Sequence, residues 1–151
     1  MARLTTIRPA RFDDEAEVIP LIEELFVTPG SKPRDYSRER AAEAFRGAVS
    51  NDRADVLLAF GGGRAVGLAS VYVDIFSIRY GRRCFVEDLV VLPDQRGKGV
   101  GAQLLEAACD WGRRFGCEHL QLNSGNGRGD AHRFYASNGM EQDALVFTKQ
   151  L

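Results

Sequence analysis

The stretch LVVLPDQRGKGVGAQLLEAA, residues 89–108, decides how this chain is read. A run of β-branched residues stops at Pro93. Gly97, Gly99 and Gly101 then alternate with Lys98 and Val100. From Val100 onward, Leu104, Ala108, Trp111 and Phe115 recur at the spacing of one helical face. Strand, glycine loop and helix together make a pocket for an anion. Glycine lets backbone N–H groups approach a ligand closely. The unpaired amides of a helix's first turn, with its dipole, favour a phosphate group there. Arg96 and Lys98 add positive charge at the same place. The competing reading is an ordinary strand-to-helix turn that uses glycines for tight packing.

Outward from this unit, "LTTIRPA" (4–10) reads as a first strand and "DDEAEVIPLIEELF" (13–26) as a helix, with Pro20 inside it as a break or kink. The loop "VTPGSKPRDYS" (27–37) leads to a second helix over 37–49, for which Ser37 is the N-cap. The runs 54–60 and 65–78 flank Gly61-Gly62-Gly63-Arg64, a hairpin signal. "CFVEDLVVL" (84–92) is a fourth strand, "EHLQLNS" (118–124) a fifth, "DAHRFYASNG" (130–139) a short helix and "ALVFTKQL" (144–151) a last strand. The hairpins demand antiparallel pairing, and the strand–helix–strand unit at 85–123 demands a parallel crossover. The expected fold is therefore α/β: one domain over residues 1–151, with a mixed, mostly antiparallel sheet flanked by helices on both faces.

The 151 residues are enough to bury one core, and 44% hydrophobic with 27% charged residues is ordinary for a globular protein. A net charge of −1 supplies no basic field for nucleic acid. No apolar run approaches the roughly 20 residues that cross a bilayer, and the acidic N-terminal region lacks a signal-peptide core, so no membrane partner and a cytoplasmic setting are expected. Cys84, Cys109 and Cys117 form no CxxC pair, and with His119 and His132 they give no metal-ligand spacing. No metal is expected.

Other glycine motifs fit poorly. A Walker A loop needs Ser or Thr after Gly-Lys, where this chain has Gly99. Gly97, Gly99 and Ala102 match a dinucleotide fingerprint formally, but the next strand ends in Asn123-Ser124 rather than an acid. Ser124 lies outside any G-x-S-x-G elbow. What remains is Arg96-x-x-Gly99-x-Gly101 at the head of the central helix, with "AHRFYASNGM" (131–140) downstream. Together these motifs resemble those of the GNAT superfamily of acyl-CoA-dependent N-acetyltransferases, with Ala131, Phe134, Tyr135, Gly139 and Met140 in register. The resemblance covers nearly the whole chain.

The resemblance implies acetyl-CoA as co-substrate. Its pyrophosphate would rest on the amides of Arg96, Gly97, Lys98, Gly99, Val100 and Gly101. Its pantetheine arm would pair with the backbone of Leu89, Val90 and Val91 like an added half-strand. A β-bulge would splay the fourth strand from the fifth and open the acyl slot, with Asn123 on the far wall. Arg128 stands where many members carry an asparagine near the pantetheine. A homodimer is what family analogy implies, although the sequence marks no interface.

Acetyl transfer to an amine needs a base, because an alkylammonium has a pKa near 10.4 and is charged at pH 7. Glu87 is the candidate base and Asp88 the reserve. Strand alternation places Phe85, Glu87, Leu89 and Val91 on one face, where apolar neighbours would raise the carboxyl pKa. Tyr135 is the candidate acid for the departing thiolate. The acceptor is expected to be a primary amine on a small metabolite. The C-terminal residues are similar to those of aminoalkylphosphonate acetyltransferases, for whose anionic group Lys32, Arg34 or Arg79 would serve; "VEDLVV" is similar to diamine acetyltransferases. A non-catalytic acyl-CoA-binding module, and an enzyme acting on protein amines, are the alternatives.

Overall fold

The computed structural model describes residues 5–151, so Leu4, at the head of the first predicted strand, lies outside it. Strand β1 (Thr6–Pro9) leads through a 3-10 turn into helix α1 (Glu15–Glu24). Helix α2 (Arg38–Val49), strands β2 (Ala54–Gly61), β3 (Arg64–Val73) and β4 (Arg83–Val91), helix α3 (Val100–Arg114), strand β5 (His119–Leu122) and helix α4 (Gly129–Ser137) follow. The sheet order is β1-β2-β3-β4-β5. All neighbours are antiparallel except β4 and β5, which run parallel across the α3 crossover.

Local chemistry accounts for the element ends. Gly62 and Gly63 have φ of 62° and 80°, the left-handed pair that a two-residue hairpin turn needs. The Ser37 hydroxyl accepts from the Arg40 amide at 3.2 Å and caps α2. Pro20 lies inside α1 without ending it. Its ring is exposed, and only the bond to the Ala16 carbonyl is forgone.

Each face of the sheet carries its own apolar layer. Val100, Leu104, Ala108 and Trp111 of α3 pack on Leu57, Ala59, Val71 and Val86. Trp111 is buried while its Nε1 donates to Asp55 Oδ2 at 2.9 Å, so the ring's polar end is satisfied. On the other face Val18, Leu21 and Phe45 of α1 and α2 cover Val56, Leu58, Leu68 and Val90. The expected mixed sheet between helices is therefore present.

The last predicted strand is not. Residues 144–151 form no strand and are exposed throughout. Their β-branched and aromatic content suits a strand, but such a preference needs an edge to pair with, and among the described residues none is engaged. No helix among the described residues is long and apolar enough to cross a membrane.

Candidate functional site

The site begins with an irregularity in β4. Val71 faces Val86 and Ser70 faces Asp88, so Glu87 is an extra residue with no counterpart on β3. This bulge changes the phase of the strand. Before it, Cys84 and Val86 point toward α3; after it, Leu89 and Val91 do, and Val90 points toward α1 and α2. The expectation that Phe85, Glu87, Leu89 and Val91 share one face is thereby corrected, because one inserted residue inverts the alternation beyond it. The parallel ladder to β5 ends at Val86–Leu122, while β4 continues to Val91. The two strands part at Glu87, leaving an open slot.

Glu87 is exposed at the mouth of this slot. Partial desolvation, then repulsion from Asp88, pushes its carboxyl above the ordinary glutamate range, with the Tyr72 hydroxyl pulling the other way. Asp88 is raised too, mainly by burial, and the Ser70 hydroxyl partly offsets the rise. Ser70 Oγ donates to Asp88 Oδ2 at 2.9 Å and accepts from the Asp88 amide at 3.0 Å. That closed pair commits Asp88 to the fold and leaves Glu87 the freer carboxylate. Neither Ser70 nor Tyr72 is marked by a sequence motif; each is identified only by the β3–β4 register.

Beyond the bulge the Leu92 amide bonds to the Val66 carbonyl at 2.9 Å on β3. By alternation Val90 also directs its backbone toward β3, and Leu89 and Val91 direct theirs into the slot. The Val91 carbonyl accepts from Arg96 Nε at 2.9 Å. Gly97 and Gly99 have φ of 75° and 84°, and a Cβ on either would meet nothing within 4 Å. The amides from Gly97 through Ala102 make no hydrogen bond among the described residues. Lys98 is exposed beside them, and the Val100 side chain is buried in the core. A Cβ on Gly101 would lie 3.2 Å from Phe134, so this glycine sets the approach of α4 to α3.

Tyr135 is half-buried on α4. Burial raises its phenol pKa, and the positive charge of Arg128 acts against that rise. Arg128 Nη2 also donates to the Leu25 carbonyl at 2.9 Å, across 103 positions of sequence. Arg96 lies 3.9 Å from Glu24. Two arginines thus tie the C-terminal end of α1 to the glycine loop and to the start of α4. Asn123 is exposed just beyond the end of β5, and the hydroxyl of neighbouring Ser124 is buried without a partner among the described residues. An orphaned hydroxyl after β5 and a row of unpaired amides at the head of α3 fit a polar, phosphate-bearing ligand such as CoA.

The remaining reactive residues have structural surroundings. His132 Nε2 is 2.9 Å from the Gly125 carbonyl. His119 meets the Tyr80 ring edge-on. Burial pushes the Cys84 thiol up to about 12, far from a nucleophile's range.

The model of the acetyltransferase (GNAT) family matches residues 19–140. The chain is 32% identical over 145 residues to an aminoalkylphosphonate N-acetyltransferase of Salmonella typhimurium, covering 96% of this chain and 90% of that one. It is 30% identical to an uncharacterised N-acetyltransferase of Bacillus subtilis over 142 residues, covering 91% and 90%. Its fold is similar to that of an aminoglycoside N-acetyltransferase, AAC(6')-Iy, solved in complex with CoA. The TM-score is 0.86 at 19% identity, spanning 99% of this chain and 97% of that one.

Proposed function

The chain belongs to the acetyltransferase (GNAT) family and is an N-acetyltransferase, and from that premise we propose that it transfers the acetyl group of acetyl-CoA to the primary amine of a small anionic metabolite of the aminoalkylphosphonate kind. The observation that carries the reading is the row of unpaired amides from Gly97 to Ala102 beside the slot between β4 and β5.

In this reading acetyl-CoA supplies the thioester, its pyrophosphate held by those amides and Lys98. Leu89 and Val91 pair along the pantetheine arm, Val90 holds the strand to β3, and Asn123 and Ser124 form the far wall. Glu87, directly or through a water, takes the proton that keeps the acceptor nitrogen charged. The free amine forms a bond to the thioester carbonyl carbon, and a slot-facing amide of β4 stabilises the charge that develops on its oxygen. As the carbon–sulfur bond breaks, Tyr135 gives its proton to the leaving sulfur. Arg128 keeps that phenol within reach of ionisation and holds the segment after α1 in place.

The substrate class is supported by the Salmonella relative and by Lys32, Arg34 and Arg79. All three are exposed, and none is in an ion pair among the described residues. A diamine acceptor is the second reading, favoured by the adjacent carboxylates Glu87 and Asp88, which would attract a second ammonium. Comparison of kcat/KM for aminoethylphosphonate, a diamine of similar length and a peptide amine tests both. Preference for the phosphonate, lost on combined substitution of Lys32, Arg34 and Arg79, is expected; preference for the diamine or peptide would overturn the anionic class.

A further inference from the structure

Two positions of β3 each offer a hydroxyl to one carboxyl of β4. Ser70 closes on Asp88 both as donor and as acceptor, at 2.9 and 3.0 Å. Two residues further on, Tyr72 brings its hydroxyl within hydrogen-bonding reach of the Glu87 carboxyl. Resting on the reading of Glu87 as the base, we propose that Tyr72 is its positioning residue: the phenol donates to one carboxylate oxygen and leaves the other turned to the acceptor amine.

The sheet fixes the Tyr72 ring. Val71 and Val73 pack toward α3, so Tyr72 stands on the opposite face, as Phe85 does between Cys84 and Val86. The register sets the two rings opposite one another, and they stack with centroids 5.3 Å apart and planes at 27°. Neither ring joins the apolar layer under α1 and α2, and both are half-buried, so the face stays partly open here. The bulge completes the arrangement. In a regular strand Glu87 and Asp88 would alternate to opposite faces, and only one of them could meet a hydroxyl from this face of β3.

The contact matters because the other influences on Glu87 oppose its use as a base. Partial desolvation, and then repulsion from Asp88, favour the protonated carboxyl, whereas the Tyr72 hydrogen bond favours the carboxylate. Asp88 and Tyr72 are the titratable groups that act on Glu87, and none on α1, α2, α3 or β5 adds to them. Tyr72 keeps its own proton, since burial and the charges of Glu87 and Asp74 raise its phenol. It therefore donates to the base without taking part in the proton transfer.

The test follows the Glu87 carboxyl by isotope-edited NMR across pH in the wild type and in Tyr72→Phe, the signal being assigned by its loss in Glu87→Gln. Over the same range kcat/KM is measured for the better acceptor of aminoethylphosphonate and the diamine. Tyr72→Phe keeps the stacked ring. Its Glu87 midpoint and the acid limb of kcat/KM should both move to higher pH, lowering kcat/KM at pH 6 about tenfold, the loss of one hydrogen bond to a charged group, with KM for acetyl-CoA and Tm unchanged. Tyr72→Leu also removes the ring, and should lower Tm while moving the limb no further. A Glu87 midpoint that Tyr72→Phe leaves in place overturns the proposal, as does a midpoint that moves without the limb. An acid limb that persists in Glu87→Gln overturns instead the base reading, and the proposal with it.

Discussion

Arg96 Nε lies 2.9 Å from the Val91 carbonyl oxygen, so the first residue of the glycine motif is fastened to the strand that precedes it. The contact fixes where the unpaired amides of the loop stand relative to the slot. Arg96→Gln keeps a donor of shorter reach and should retain most acetyl-CoA affinity. Arg96→Ala frees the loop and should raise KM for acetyl-CoA about tenfold with kcat little changed, the loss of one hydrogen bond to a charged group. Steady-state kinetics with acetyl-CoA varied checks this.

The carboxyl of Glu87 is raised by desolvation and by Asp88. A base works only when deprotonated, so kcat/KM should fall as pH drops through a value above the ordinary glutamate pKa of about 4.3. Glu87→Gln should remove that limb and lower kcat by about 10²–10⁴-fold. A pH–rate profile on both proteins checks it.

Tyr135 and Arg128 are linked through charge. Tyr135→Phe should lower kcat about 10²-fold or more while leaving acetyl-CoA binding in place. Arg128→Ala removes both the charge and the bond to the Leu25 carbonyl. It should shift the basic limb of the pH–rate profile upward, where loss of the bond alone would leave that limb unmoved.

The buried Asp14 and the half-buried Asp88 make opposite contributions to stability. Asp14 is lowered by its hydrogen bond to Arg8 and by the Arg11 amide, against a desolvation that acts the other way. Its contribution is present above the ordinary aspartate pKa and is lost as pH falls through the lowered folded value. Asp88 is raised, so its contribution is present at low pH and is lost as pH rises through the raised value. Asp14→Asn should therefore lower Tm at pH 7 with little effect in strong acid. Asp88→Asn should raise Tm at pH 8 relative to pH 4. Thermal unfolding across pH checks both signs.

Gly99→Ala puts a side chain at φ 84° and should cost about 1–2 kcal/mol of stability from backbone strain. Gly101→Val meets a different obstacle, the Phe134 ring 3.2 Å from the new Cβ. It should displace α4 and with it Tyr135, lowering kcat more than Tm. Unfolding and kinetics on the two variants separate these causes.

What was legible in the sequence is what depends on neighbours in sequence. The Ser37 cap, the Gly62-Gly63 turn and the face of α3 from Val100 to Trp111 each follow from local chemistry, and so did the mixed sheet they imply. The bulge position was not legible, because Glu87 is extra only relative to Ser70 and Val71 on another strand. The faces of β4 beyond it were misassigned for that reason. The hold of Arg128 on Leu25 spans 103 positions and leaves no local pattern. Residues 144–151 have the composition of a strand, but whether they form one depends on an edge that composition does not describe.

The most direct measurement is thermal unfolding with saturating acetyl-CoA, and separately with NADH or ATP. At about 100 times its dissociation constant, acetyl-CoA should stabilise the fold by about 2.7 kcal/mol, a rise of a few degrees in Tm. That rise, absent with NADH and diminished in Gly99→Ala, is the predicted result. No stabilisation by acetyl-CoA, with a rise in NADH or ATP instead, would contradict the assignment of the glycine loop and the mechanism built on it.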